Sequence, residues 1–435
     1  MLPESFEAFL LVFENSFTAP SFQRFLTLIN GWLLCTGKHT VTGVMRAAGV
    51  AGKREHSGYH RFFSRGAWQP DTIGITLLNL ALKTLPNNKV VKLTIDDTLG
   101  RHTGKHIASA GMHRDPLLST GSLPFFHFGH KWVVLAIVIE FPRWNKVFSL
   151  PVILRLYRSA KINEAMGLEH RKLTELAAEA IALVSKEFPD RKFLVIGDSA
   201  YVNRSIIRNR PENIDILGRG LMNAALYGPP PKKKGRGRPA VKGEKLASPK
   251  KRRAPWKTLN LNIYGRPATV QVRVFKGIWY KVSYDKQMLF VMVRDWPGHK
   301  RDDVLACTNL DLSAKEVIEQ YCQRWSLEET FGWAKSRLGF EAPQNRTEHA
   351  VQRTAPMAMW TYSLVILWYA GWAKGRRQIP MRLAPWYRKK KSPSFSDMLA
   401  TLRRQSWTLW INDQAGTEHL DQKKLEPLLD AVGYA

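Results

Sequence analysis

The segment 162–200, INEAMGLEHRKLTELAAEAIALVSKEFPDRKFLVIGDSA, decides the fold of this chain. Its first part predicts a helix over about 162–188, because leucines and an alanine recur at near-helical spacing, namely Leu168, Leu173, Leu176, Ala180 and Leu183. The apolar run 192–197 then predicts a buried strand that ends at Asp198. A helix of this length can connect two parallel neighbours, so the segment indicates an α/β sheet.

Three further strands are predicted upstream of that helix. The run 89–95 is rich in β-branched residues, and the apolar runs 132–141 and 149–157 lie close enough to pair as a meander. Strand, strand, strand, helix, strand is therefore the expected order. This order predicts an α/β fold whose sheet has mixed strand directions.

The composition excludes a wholly disordered chain, a collagen and a coiled coil. Of the 435 residues, 44% are hydrophobic and 23% are charged, which is typical of a folded globular chain. The net charge of +30 favours a polyanionic partner such as nucleic acid.

The spacing of the three cysteines argues against a disulfide framework and against a cysteine-based metal site, which fits a reducing cytoplasm. The N-terminus lacks a basic n-region and the longest apolar stretch, 360–373, is short for a bilayer, so neither a secretory signal nor a membrane span is expected.

Residues 1–85 are predicted to be helical. Thr40 is a plausible N-cap with Gly49 at the stop position, which gives half of a helix-turn-helix. The next stretch, 56–65, interleaves basic and aromatic residues, and it makes Arg61 and Arg65 candidate DNA contacts. An ordinary surface helix has the same pattern, so both interpretations stay open.

A basic block interrupts the pattern at 229–253. It contains eleven Lys and Arg residues and one acid, Glu244, so its net charge is +10. Within it, the run 234–239 resembles an AT-hook, in which Arg236 and Arg238 would enter a narrow minor groove. A solvated linker is the alternative. Strands are predicted from 259 to 296 and helices over 313–338 and 350–373.

Acidic residues follow two of the predicted strands. Asp96 and Asp97 come after the first strand and Asp198 after the strand 192–197. Strand ends of an open α/β sheet border a ligand-binding crevice, so these carboxylates are candidate catalytic groups. A turn or a helix cap explains a single Asp equally well.

The helix near 320 adds a further acid. In YCQRWSLEETFGWAK, 321–335, the residues Tyr321, Arg324, Glu328 and Lys335 have offsets of 0, 3, 7 and 14. At about 100° per residue they fall within an arc of about 60°, so they share one face of a helix. Arg before Glu is the weaker orientation for supporting a helix, which makes helix stability a poor reason for this pattern.

This spacing resembles that of the DDE transposases of bacterial insertion sequences, the group with a Tyr-Arg-Glu-Lys signature. The resemblance extends over about 85–375 and includes three pieces in order: Ile95–Thr98, Val195–Tyr201 and the helix just described. It implies a ribonuclease-H-like mixed sheet flanked by helices, with a β-rich insertion and an N-terminal helical domain. The predicted division is a helical DNA-binding domain 1–85, the first part of the catalytic core 86–228, a basic linker and β-rich insertion 229–312, C-terminal core helices 313–375 and a C-terminal region 376–435.

The resemblance also implies roles for single residues. Asp198 and Glu328 match the second and third catalytic acids. The family's Asp-x-Thr pattern selects Asp96 as the first acid, whereas aligning the apolar residue before the acidic pair selects Asp97; Asp96 is preferred here. The DNA end would contact four further residues, Tyr321, Arg324, Lys335 and Lys105.

Three converging carboxylates imply divalent cations. Hard oxygen ligands favour Mg²⁺, with Mn²⁺ as a substitute, and two ions would be held by Asp96, Asp198 and Glu328. The expected partners are double-stranded DNA, as the element's terminal inverted repeats and the target, and a second copy of the chain at the DNA ends. The expected function is DNA cleavage and strand transfer in a bacterial cytoplasm. A metal-dependent endonuclease without strand transfer, or a DNA-binding regulator with an inactive core, is the alternative.

Overall fold

The structure is a computed structural model. It describes residues 2–85, 89–104, 106–115, 118–120, 122–231, 239–263, 265–298, 301–383, 390–415 and 422–434.

The N-terminal region is helical, as predicted. It forms α1 (Glu4–Leu10), α2 (Ala19–Leu34), α3 (Val41–Ala47), α4 (His56–Ser64) and α5 (Pro70–Leu82). Thr40 caps α3, since its hydroxyl accepts a hydrogen bond from the Gly43 amide at 3.1 Å. Gly49 follows the helix with φ +70°, the left-handed conformation that glycine adopts without strain.

A mixed sheet forms the centre of the molecule, which confirms the predicted α/β class. Its strands are β1 (Val91–Arg101), β2 (Gly111–Arg114), β3 (Phe126–Phe141), β4 (Lys146–Tyr157), β5 (Phe193–Gly197), β6 (Ile214–Arg219), β7 (Leu226–Tyr227), β8 (Lys245–Leu246), β9 (Lys257–Ile263), β10 (Arg266–Ile278), β11 (Gln287–Arg294) and β12 (Asp303–Cys307). The order is β2-β3-β1-β5-β6-β12-β11-β10-β7-β8, with β4 on β3 and β9 on β10. β1, β5 and β6 are parallel, and the other paired strands are antiparallel.

Helices cover both faces of this sheet. They are α6 (Ala160–Ala165), α7 (Leu173–Glu187), α8 (Arg204–Ile207), α9 (Tyr280–Ser283), α10 (Ala314–Cys322), α11 (Trp325–Arg337), α12 (Glu348–Trp372), α13 (Phe395–Ala415) and α14 (Gln422–Tyr434). The largest apolar cluster joins the N-terminal helices, β1, β3, β4 and α12. A second cluster lies between α10 and the strands from β5 to β12. None of the helices within the described ranges is long and apolar enough to cross a membrane.

Two of the predicted helices are interrupted. The helix predicted over 162–188 is α6 and α7, separated at Gly167, whose φ of +64° a continuing helix does not allow. As a result Leu168, which the periodicity places on an apolar face, is exposed. The helix predicted over 313–338 bends between α10 and α11. There the amides of Gln323, Arg324 and Leu327 each bond the carbonyl three residues back, the tighter pattern of a 3₁₀ turn.

The β-rich stretch continues the central sheet. β9, β10 and β11 confirm the strands predicted from 259 to 296. The strand β12 pairs with both β6 and β11, so it connects this stretch to the parallel strands. The division of the chain into domains stays a prediction.

Candidate active site

The two neighbouring aspartates lie inside β1 and not after its end. The strand runs on to Arg101 because β3 pairs with it throughout, with Asp96 opposite Val134 and Asp97 opposite Val133. Successive side chains of a strand point to opposite faces, so the sheet separates the two carboxylates.

Asp96 forms an ion pair with Arg324, at the start of the helix α11 that contains Glu328, the third predicted acid. The Arg324 guanidinium lies 2.8 Å from Asp96 Oδ2 through Nη1, and 2.7 Å from Glu328 Oε1 through Nη2. Arg324 is the residue that precedes α11, and Glu328 lies in the first turn. One guanidinium therefore holds the carboxylate of β1 and that of α11 together, which brings three of the predicted site residues into contact.

The charge of Asp96 is poorly compensated despite this ion pair. Burial raises its pKa to about 7, the Arg324 charge acts in the opposite direction, and the neighbouring charges of Asp97 and Asp198 raise it further. The ionised form of Asp96 is thus disfavoured mainly by burial and further by two neighbouring acids.

Asp198 follows β5 directly, as predicted. Its Oδ1 accepts the Ala200 amide at 2.8 Å, which fixes the turn after the strand. The cap of α8 is a different residue, Asn203, whose side chain accepts the amides of Ser205 and Ile206. A helix cap therefore does not account for Asp198.

Asp97 has its own partners on its side of the sheet. Lys131 Nζ lies 2.9 Å from Asp97 Oδ2, and the Tyr201 hydroxyl donates to Oδ1 at 3.2 Å. Burial and the nearby carboxylates raise the pKa of Tyr201 well above its usual range, so this phenol stays a donor. Asp97 is thus held by a lysine and a tyrosine, whereas Asp96 faces α11.

Tyr321 lies in the last turn of α10 and Lys335 in the last turn of α11, and both are largely enclosed by protein. Tyr321 is buried in the last turn of α10, with its ring edge-on to Trp296 at 5.8 Å. Lys335 Nζ donates to the Leu99 carbonyl at 2.7 Å, and burial lowers its pKa. In the protein alone the lysine is therefore used to dock α11 on β1.

The other candidate DNA contacts are Arg61, Arg65, Lys105, Arg236 and Arg238. On α4 the aromatic residues Tyr59, Phe62 and Phe63 are buried, which leaves Arg61 and Arg65 exposed on the outer face. Lys105, Arg236 and Arg238 fall outside the residues that the structure describes. The same holds for most of the predicted AT-hook.

The donor chemistry of the site suits a hard divalent cation. Asp96, Asp198 and Glu328 supply carboxylate oxygens, and a cation beside Asp96 would oppose the burial and the neighbouring acids that raise its pKa. Across the described ranges, no three His, Cys, Asp or Glu side chains stand close enough to hold a metal as placed. The Arg324 guanidinium bonds both Asp96 and Glu328.

Sequence reasoning missed two residues that contact the acids. Tyr201 stands in the quoted motif 195–201, but nothing in the motif shows that its hydroxyl reaches Asp97. Lys131 lies 34 positions after Asp97, and only the register of β3 on β1 brings it there. No local pattern in the sequence could have found that contact.

The sheet order and the position of these acids define an α/β, ribonuclease-H-like protein. The sequence profile of the family described as DDE superfamily endonuclease matches residues 12–277, more than half of the chain, and the chain belongs to this family. Asp96, Asp97 and Asp198 fall within the matched residues. No curated protein sequence matches the chain. Membership makes the chain a nuclease-type enzyme with DNA as its substrate, and enzymes of this type generally use divalent metals.

Proposed function

We propose that the chain is the transposase of a bacterial insertion sequence, which binds the terminal inverted repeats, cleaves them and joins them to target DNA. The observation that supports this most directly is the ion-pair bridge from Asp96 through Arg324 to Glu328. It assembles, around one guanidinium, three residues of the β1 and α11 motifs that the resemblance to transposases rests on.

In this proposal Asp96, Asp198 and Glu328 hold two Mg²⁺ ions, for which Mn²⁺ can substitute. Ions held there would activate a water or a 3′-hydroxyl and would stabilise the leaving oxygen of an in-line phosphodiester displacement. Asp96 supplies the first carboxylate because it shares the α11 side with Glu328, while Lys131 and Tyr201 hold Asp97 on the other side of the sheet.

Arg324 has two successive tasks in this proposal. In the protein alone it neutralises Asp96 and Glu328, which would otherwise repel each other. With cations held by the two acids, the Arg324 guanidinium would be available to the bound DNA end, and its fork geometry suits a phosphate. Tyr321 and Lys335, on the same helix pair, would line the path of that end.

The remaining parts of the proposal concern assembly. Residues 1–85, through Arg61 and Arg65, would bind the terminal repeat, and the basic block with Arg236 and Arg238 would add phosphate or groove contacts. The loop that contains Lys105 would approach the scissile strand. Two copies of the chain would pair at the two DNA ends in the bacterial cytoplasm.

The test is incubation of the full chain with its own flanking genomic DNA and Mg²⁺, followed by mapping of cut and joined ends. The change of Asp96 or Asp198 to Asn, or of Glu328 to Gln, should abolish cleavage and leave end binding nearly intact. Glu329→Gln is the matched control, since this exposed acid is adjacent to Glu328.

Three outcomes would contradict the proposal in different ways. Cleavage without joining of a pre-cut end would make the chain an endonuclease only. Absence of any metal-dependent cleavage would favour a DNA-binding regulator. If Asp97→Asn abolished cleavage while Asp96→Asn cleaved normally, the first acid would be Asp97.

A further inference from the structure

The hairpin of β2 and β3 exposes an unusual set of large apolar side chains. Met112 is 59% exposed, Phe126 50% and Phe125 43%, and Phe128 is half-buried. Strand pairing places Met112 opposite Phe128 and Arg114 opposite Phe126. Directly paired residues share a face, so one surface, the hairpin platform, consists of Met112, Arg114, Phe126 and Phe128. Phe125 lies on the opposite face.

The hairpin platform lies on the same face of the sheet as Asp96. Along β3 the residues from Phe126 to Val134 alternate without a bulge in their pairing with β1 and β2, and Val134 is the partner of Asp96. Eight residues of strand span about 26 Å, which equals about eight nucleotides at the rise of one strand of a DNA duplex. His130 and Trp132, which lie between on this face, are buried, so the platform is a separate exposed surface at the end of the same strand.

The hairpin is held in place from its other face. Asp115 is 1% exposed and accepts hydrogen bonds from Arg101 Nη2 at 2.7 Å and from His127 Nδ1 at 2.8 Å. The His127 ring in turn packs against Phe125, with centroids 5.0 Å apart. These contacts fix the position of the hairpin before any partner binds, which lowers the entropic cost of binding.

The charge of the platform itself is positive. Arg114 is exposed, and none of the other platform residues, Met112, Phe126 and Phe128, is an acid. Two copies of a chain of net charge +30 would repel each other at such a surface. An anionic partner with flat apolar faces fits it, and unpaired nucleotides have both properties.

We propose that the hairpin platform binds unpaired bases of single-stranded DNA by stacking on Phe126 and Phe128, with Arg114 on the phosphates. A duplex hides its base faces, so the stacked bases must be outside a double helix. The inference rests on the proposed function, because it takes the strand to belong to the DNA that the chain processes.

The experiment measures equilibrium binding of the full chain, in EDTA, to a thymidine oligomer of about 12 nucleotides by fluorescence anisotropy. A second oligomer of equal length carries abasic sites, which keep the phosphates and remove the bases. Phe126→Ala should weaken binding of the thymidine oligomer about tenfold and leave the abasic oligomer within twofold. Phe126→Trp should retain the affinity, and Leu11→Ala, another exposed apolar residue, is the control.

Equal affinity of Phe126→Ala and the unchanged protein for the thymidine oligomer would overturn the inference. So would a self-association, seen by sedimentation, that Phe126→Ala removes while DNA affinity is unchanged, since the platform would then join two copies. Binding without divalent cations needs no cleavage. A failed strand-transfer assay therefore contradicts the proposed function alone, and unchanged oligomer binding contradicts the platform alone.

Discussion

At the scale of residues, Arg324 shows how far side-chain pairing can alter a role assigned from spacing. On a helical wheel it shares a face with Glu328, and an exposed arginine there would need only a phosphate as its partner. In the structure its side chain is 17% exposed and bonds two carboxylates, one from α11 and one from β1. Arg324 is therefore a structural group of the protein alone as well as a candidate DNA contact.

This pairing predicts that Arg324→Ala lowers stability. Asp96 and Glu328 would lose a shared charged donor, at a cost of about 1–3 kcal/mol in the free energy of unfolding. Arg324→Lys should lose less, because it keeps the charge but not the fork that reaches both acids. Urea denaturation in EDTA measures both.

Lys315→Ala is the matched control for that measurement. Lys315 lies 4.0 Å from Glu319 on the exposed face of α10, and such a surface pair contributes less than about 0.5 kcal/mol. If Arg324→Ala cost no more than Lys315→Ala, the bridge between the two acids would have no role in stability.

At the scale of elements, α11 is anchored by the N-terminal helices. Trp32 Nε1, from α2, donates to the Leu338 carbonyl at 2.9 Å in a buried position. Gly339 follows with φ +62°, and its backbone packs directly on the His39 ring. The helix that presents Glu328 and Lys335 is thus fixed at its end by residues 1–85.

Two glycines of this region should respond in opposite ways to alanine. At Gly339 a Cβ would lie 2.6 Å from His39 and would occupy a left-handed conformation, so Gly339→Ala should cost roughly 2–5 kcal/mol. At Gly332, inside α11, a Cβ meets nothing within 4 Å, so Gly332→Ala should stabilise by about 0.5–1 kcal/mol. Urea denaturation gives both values, and a loss of less than 1 kcal/mol for Gly339→Ala would contradict the docking of α11 on His39.

The elements also show which parts of the fold the sequence could predict. Apolar runs predicted β3, β4 and β5, and Thr40 predicted the start of α3, because these depend on neighbours in the chain. The extension of β1 past Asp96 depends on pairing with β3, about 40 residues away. The junction between α10 and α11 consists of residue types that also occur inside helices, so periodicity alone could not reveal it. For the same reason, sequence motifs could predict the acids of the site. The contact of Lys131 with Asp97 depends on the register of β3 on β1, and the bridge through Arg324 depends on the turn between α10 and α11.

At the scale of the whole molecule, the excess of positive charge is unevenly distributed along the chain. Five of the basic residues stand in seven positions, 232–238, which lie outside the residues that the structure describes. The strands on both sides, β7 and β8, pair with each other. Next to these strands, the Gly243 amide donates to the Gly228 carbonyl at 2.9 Å.

We expect these five charges to contribute sequence-independent DNA affinity. Each neutralised phosphate adds about 0.9 to the slope of log affinity against log salt, so replacing all five by Gln should flatten the slope by up to about 4.5. The residues to replace are Lys232, Lys233, Lys234, Arg236 and Arg238.

A control variant removes the same net charge at five exposed positions elsewhere: Lys161, Lys172, Lys186, Lys286 and Lys315. General attraction to DNA depends on net charge and would change equally in both variants, whereas local phosphate contact changes only in the first. Binding to duplex DNA over a range of salt concentrations decides between them, and equal slopes for the two variants would make 232–238 a plain linker.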